Sequence, residues 1–221
     1  MRMEAPELQY LQTLEQRVKM TRKERQELQS ALVGYQGECS FDQCTLNILQ
    51  NTESLLDDVN LDYQSSRCQI DKLLVSGDVL YILDVKNYDG HYQYHDGQVL
   101  SHNIFEQITR AQDIVARCLS DQRVQMTVKS VLVFVGSDVE LDVIDPPRHI
   151  EIINFAEACA WLTRLHLSTN VSHNMRWKAA LSRYFVPAYR LEHDLSVTPQ
   201  RHVKRGVCCL KCGSFEMEQS R

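Results

Sequence analysis

In the stretch LYILDVKNY, residues 80–88, an apolar segment ends in an acid and a lysine two positions apart. Side chains alternate along a strand, so Leu80, Ile82, Asp84 and Lys86 share one face while Tyr81, Leu83, Val85 and Asn87 share the other. Both faces are otherwise apolar, the pattern of an interior strand covered on both sides, where an unpaired polar group costs ~2–7 kcal/mol and an ion more. Asp84 and Lys86 therefore need partners or a task. A second acid, Asp71, lies in the apolar run QIDKLLV. If the two segments pair through the turn Ser76-Gly77-Asp78, counting outward sets Asp71 opposite Asp84. Two such carboxylates both stay ionised only with a cation between them; otherwise one holds a proton. Mg²⁺ typically takes one or two carboxylates together with waters and phosphate oxygens, so this pair suits phosphodiester chemistry. Lys86 is placed to orient or help deprotonate an attacking water and to offset charge on the phosphorane. Glu38, expected in the first turn of a preceding helix, completes the shell.

A second constellation lies in the tail RGVCCLKCGS, where Cys209-x-x-Cys212-Gly213 has the shape of half a zinc site. Two further ligands would have to come from His193, His202, Cys208 or a second chain. A redox thiol pair and an inert flexible tail are the competing readings. With four protein ligands a zinc ion has no open position, so a loaded knuckle contacts nucleic acid or a partner and does no catalysis.

The elements that must position these groups follow from periodicity. Residues 4 to about 32 place Leu8, Leu11, Val18, Leu28 and Leu32 near helical spacing, which predicts a long N-terminal helix, either docked on the domain or paired as a coiled coil. Gly34 and Gly37 are expected to break it, with a second helix through Phe41, Cys44, Ile48 and Leu49. Three extended segments, LLDDVNLD, RCQIDKLLVS and DVLYILDVKNY, predict an antiparallel meander, and YQYHDGQVLS a hairpin about Asp96-Gly97. A helix over Asn103–Ser120, strands in VKSVLVFVGS and HIEIINF, and a helix over Ala156–His166 follow. VSHNMRWKAALSRYFVP predicts a short amphipathic helix ended by Pro187. This order suits an α/β domain with a mixed central sheet flanked by helices.

Composition narrows the setting. The chain has 221 residues, of which 43% are apolar and 24% charged, enough for one substantial domain and an appendage. No apolar run approaches the ~20 residues that span a bilayer, and the first twenty residues are too polar for a secretory signal, so a cytoplasmic protein with no membrane partner is expected. Five of the eight cysteines are scattered among apolar neighbours, as buried free thiols are. A net charge of −5 gives no global attraction to nucleic acid, so such binding needs a local basic patch or a metal ion.

Taken together, Gly37-Glu38, Ile70-Asp71, Asp84-Val85-Lys86-Asn87-Tyr88 and Asn103-x-x-x-Gln107 resemble, in order and spacing, the nuclease-related domain, NERD, of the PD-(D/E)xK nuclease superfamily. The resemblance covers about residues 30 to 125, and DVKNY followed by a hairpin and NIFEQ is its most specific part. It implies a restriction-endonuclease-like core, Glu38, Asp71 and Asp84 as ligands of Mg²⁺ or Mn²⁺, Lys86 as the catalytic lysine and Gln107 as a polar group near the site. Two positions depart from the family pattern: Asp84 stands where most members have Glu, and Ile104 where a proline commonly follows the Asn. Neither removes a ligand.

Alone, Asp84 and Lys86 would be read as a strand-edge ion pair, Glu38 as a helix acid favoured by the dipole, and Asn103 as a helix N-cap. In the right order with Asp71, the set points to a metal-dependent nuclease acting on nucleic acid, DNA first. The alternative is a non-enzymatic module of the same fold that binds nucleic acid or a protein. The expected organisation is a helix over 1–32, the nuclease-related domain over 33–166, a helical extension over 167–189, and a linker with Cys-rich tail over 190–221, in a monomer or homodimer.

Overall fold

A computed structural model describes residues 2–49, 54–88, 90–95, 98–99, 104–137, 139–168, 176–187, 204 and 206–207. The chain divides into two compact units, one of residues 1–2 and 34–188, the other of 3–33 and 189–221.

In the smaller unit, α1 (Pro6–Arg17) begins with proline in its first turn and buries Leu8 and Leu11. The single helix expected to residue 32 is instead two helices. Thr21 and Glu24 exchange hydrogen bonds, Glu24 Oε2 accepting from the Thr21 N–H at 2.6 Å and the Thr21 hydroxyl oxygen accepting from the Glu24 N–H at 3.2 Å. This capping box ends one helical run and starts the next, α2 (Arg22–Ile48). Helix α2 then runs straight through Gly34 and Gly37, so neither glycine is a break and Glu38 stands in mid-helix, not in a first turn.

The larger unit contains β1 (Leu55–Tyr63), β2 (Ser66–Ser76), β3 (Val79–Lys86), β4 (Gly90–His95), β5 (Gln98–Val99), α3 (Ile104–Asp121), β6 (Thr127–Phe134), β7 (Val139–Val143), β8 (Ile150–Asn154), α4 (Phe155–Ser168) and α5 (Arg176–Ser182). Its main sheet has the order β1-β2-β3-β6-β8. The first three strands form the expected antiparallel meander, while β6 and β8 run parallel to β3 and its neighbour. Helix α3 is the crossover between β3 and β6, the long connection that a parallel pair requires. A second sheet, β5-β4-β7, holds the hairpin strands, and Asp96-Gly97 at its turn lie outside the described residues. Strand β7, VELDV, was not expected: Val139, Leu141 and Val143 alternate with Glu140 and Asp142 as in a strand, but the run is only five residues long and half-buried, and its pairing with β4 is what makes it one.

Each face of the main sheet carries its own apolar cluster. Leu80 and Ile82 pack with α3 and α5, while Leu83 and Val85 pack with Phe41 of α2 and Trp161 and Leu162 of α4. The alternation read from residues 80–87 is thus the division of the core into two layers. The pleat is broken in one place. β1–β2 pairing runs from Leu55↔Leu74 to Asp57↔Lys72 and resumes at Val59↔Ile70, and between them Asp58 takes the left-handed region at φ 49°. Ile70 and Leu73 consequently fall in the same cluster, although strict alternation would separate them. Asp71 sits at this break.

Among the described residues, no helix is long and apolar enough to cross a membrane.

Candidate active site

The β2–β3 ladder runs from Ser76↔Val79 to Lys72↔Leu83, and its continuation by one step sets Asp71 beside Asp84. There the Asp71 carboxylate takes the place of a backbone acceptor: its Oδ2 accepts from the Val85 N–H at 2.7 Å. Asp84 is 6% exposed. Lys86, one strand repeat further on the same face, donates to Asp84 Oδ1 at 3.1 Å. The ammonium also lies 2.9 Å from Oδ2, but off the direction of a hydrogen bond, so that buried oxygen has a charge beside it and no donor. Lys86 Nζ reaches Gln107 Oε1, in the first turn of α3, at 3.5 Å.

Glu38 comes to this end of the sheet because α2 approaches β3 closely. A Cβ on Gly37 would stand 2.5 Å from Asn87 Cβ and 2.8 Å from Val135 Cγ2, so only glycine allows the approach. The glycine costs ~1 kcal/mol of helix propensity and gains the packing. Glu38 and Asp42, one turn apart, both face Arg2, which the sequence reading missed. Arg2 Nη1 lies 2.7 Å from Glu38 Oε2 and Nε 2.9 Å from Asp42 Oδ2, while Nη2 donates to the Asp71 carbonyl at 3.0 Å. Nothing local in the opening residues signals this role; only the folded chain brings Arg2 there. Lys72, 1% exposed, was also missed and joins Asp42 at 2.8 Å and Asp57.

The electrostatics follow from burial. Asp84 is pushed up to about 7, by burial first and then by the charge of Asp71, with Lys86 opposing. Glu38 is likewise pushed up to about 7 by burial and Asp71, with Arg2 opposing. Burial would also raise Asp42, but hydrogen bonds from Arg2 and Lys72 hold it below the usual carboxylate range. Burial acts against the Lys86 ammonium, yet the charges of Asp84 and Asp71 outweigh it and raise its pKa. The end of β3 therefore carries acidic charge that the protein's own cations compensate only in part.

Five sequence-derived residues, Glu38, Asp71, Asp84, Lys86 and Gln107, stand on α2, β2, β3 and α3 around this end of the sheet. Among the described residues, no three His, Cys, Asp or Glu side chains are grouped as metal ligands. Glu38 is turned to Arg2. The donor set that remains fits a hard divalent cation, because Asp84 Oδ2 is a buried carboxylate oxygen without a donor and Asp71 lies next to it. Cys209, Cys212, His193, His202, Cys208 and Asn103 lie outside the described residues. A groove of about 450 Å³ along α3, lined by Tyr63, Tyr94, Phe105, Arg110 and Arg117 among others, includes none of the five.

A mixed sheet flanked by helices, with acids and a lysine at the end of one central strand, defines a nuclease-like α/β core. Residues 33–135, which contain all five site residues, match the family model of the nuclease-related domain, NERD. Searches of the curated proteins and of the solved structures found no match.

Proposed function

We propose that the domain hydrolyses phosphodiester bonds of nucleic acid, with DNA as the first substrate to test, in a reaction that depends on Mg²⁺ or Mn²⁺. The observation that carries this reading is the buried, donorless Asp84 Oδ2 beside Asp71, with Lys86 on the same face. Asp71 and Asp84 would hold the cation, and Glu38 would join them on leaving Arg2. When bound, such an ion polarises a phosphate oxygen and makes a water more acidic. The protein's own part is positional. The Val85 N–H fixes the Asp71 carboxylate. Lys86, kept charged by Asp84 and Asp71, is a better donor to the phosphorane oxygens and to the attacking water than a base. Gln107 limits where the ammonium swings.

A second reading, a binding module without catalysis, is favoured by one observation: Glu38 is engaged by Arg2. Calorimetry with Mg²⁺ or Mn²⁺ on the wild type, Asp84→Ala and Lys86→Ala, beside cleavage assays on plasmid and linear DNA, separates the two. The catalytic reading expects Asp71→Ala and Asp84→Ala each to abolish metal binding and cleavage. It expects Lys86→Ala to keep metal binding while cleavage falls by roughly 10²–10⁴. A wild type that binds no divalent ion even with DNA present overturns it.

A further inference from the structure

Cys44 of α2 and Cys159 of α4 are 115 positions apart in the chain, yet their sulfurs lie 2.6 Å from each other. That is only about half an ångström beyond the ~2.05 Å of a disulfide bond. Both residues are half-buried, so a small oxidant can reach them. Cys44 packs against the apolar layer formed by Phe41, Trp161 and Leu162, and Cys159 directly follows Ala158 of that layer, which holds the two helices in register while the sulfurs react. The sequence assigns Cys44 and Cys159 only as scattered thiols; their proximity is a product of the fold.

We propose that Cys44 and Cys159 form a reversible redox site in which a hydroperoxide converts the two thiols to a disulfide joining α2 to α4. One thiolate attacks the peroxide oxygen, becoming a sulfenic acid as the O–O bond breaks and alcohol or water leaves. The second sulfur then displaces the hydroxyl, which departs as water with the second thiol's proton. Each sulfur loses one electron, and the two electrons reduce the O–O bond. A dithiol reductant reverses the change by exchange. Burial and the hydrogen bond with Cys159 push the Cys44 thiol up to about 12, so the reaction needs an oxidant strong enough to act on a small thiolate fraction. The site does not depend on the nuclease reading. Its consequence for that site is direct, because Cys44 lies on the helix that carries Gly37 and Glu38.

The test uses the full chain, treated with hydrogen peroxide or with a dithiol reductant, then alkylated, digested and analysed by mass spectrometry. A peptide linking residues 44 and 159 is expected in the oxidised sample, absent after reduction and absent in Cys44→Ser and Cys159→Ser. The oxidised wild type should melt higher than the reduced by about 10–20 °C, as a cross-link closing so long a loop predicts, and neither Ser variant should show that rise. If peroxide oxidises the other cysteines while residues 44 and 159 remain unlinked, or if either pairs mainly with Cys39, the proposal is overturned. Because the wild type alone supplies the decisive peptide, a variant that folds poorly does not weaken the test.

Discussion

The Arg2 guanidinium lies 2.7 Å from Glu38 Oε2, so the acid that would complete a metal shell already has a cation. The Arg2 side chain is 4% exposed, and the Tyr35 hydroxyl donates to its carbonyl at 3.0 Å, which fixes the backbone as well. An internal cation and a divalent ion would compete for one carboxylate. Arg2→Ala is therefore expected to tighten Mn²⁺ binding by about tenfold, the effect of ~1.4 kcal/mol. It should also destabilise the metal-free protein by about 3–5 kcal/mol, since it leaves buried acids uncompensated. Titration calorimetry and urea unfolding read the two effects separately. Weaker metal binding in the variant would show that Arg2 positions Glu38 for the ion.

Stability of the metal-free protein should fall as pH rises from about 4 to 7. Asp84 and Glu38 have folded-state pKa values near 7, above ordinary values of 3.8 and 4.5, so the folded state binds more protons across that interval. Stability from a raised acid is present at low pH and lost as pH climbs through the folded pKa. At ~1.4 kcal/mol per pH unit, Asp84 contributes at most about 4 kcal/mol of this loss. Asp42, held low, acts oppositely and only toward more acidic pH. Thermal melts between pH 5 and 8 check this: the wild type should show the fall, Asp84→Asn should flatten it, and added Mn²⁺ should stabilise most at pH 8.

Gly37→Ala should destabilise the domain by about 1–3 kcal/mol, the usual penalty for overpacking, although alanine is the better helix former. The new Cβ meets the Cβ of Asn87, the residue that follows β3, and a Cβ moves only with its backbone. Gly34→Ala is the matched control. Nothing lies within 4 Å of its added Cβ, so it should stabilise by up to about 1 kcal/mol. Urea denaturation of both variants settles the comparison, and equal behaviour would remove the steric account of Gly37.

The tail makes a separate prediction. Purified protein is expected to carry zinc at no more than one per chain, and the double variant Cys209→Ser, Cys212→Ser should lose it. Elemental analysis of protein prepared without chelator is the measurement. The larger unit, residues 34–188, should remain folded in that variant, as monitored by far-UV circular dichroism.

The division of residues 80–87 between two faces was legible in the sequence because strand periodicity is local: each side chain's face follows from its neighbour's. Pairing through Ser76-Gly77-Asp78 was legible for the same reason, since a tight turn sets the register and hence the neighbourhood of Asp71 and Asp84. Helix ends were less so. Gly37 reads locally as a break, and only the packing of α2 on Asn87 and Val135 shows that glycine serves close approach. Strand β7 depends on a partner, β4, 49 positions away. Arg2 with Glu38, Lys72 with Asp42, and Cys44 with Cys159 leave no periodic trace, because such contacts are decided when separate elements pack and desolvate one another. Residue types and spacing thus named the acids and the lysine, while the tertiary structure decided which cation each acid faces.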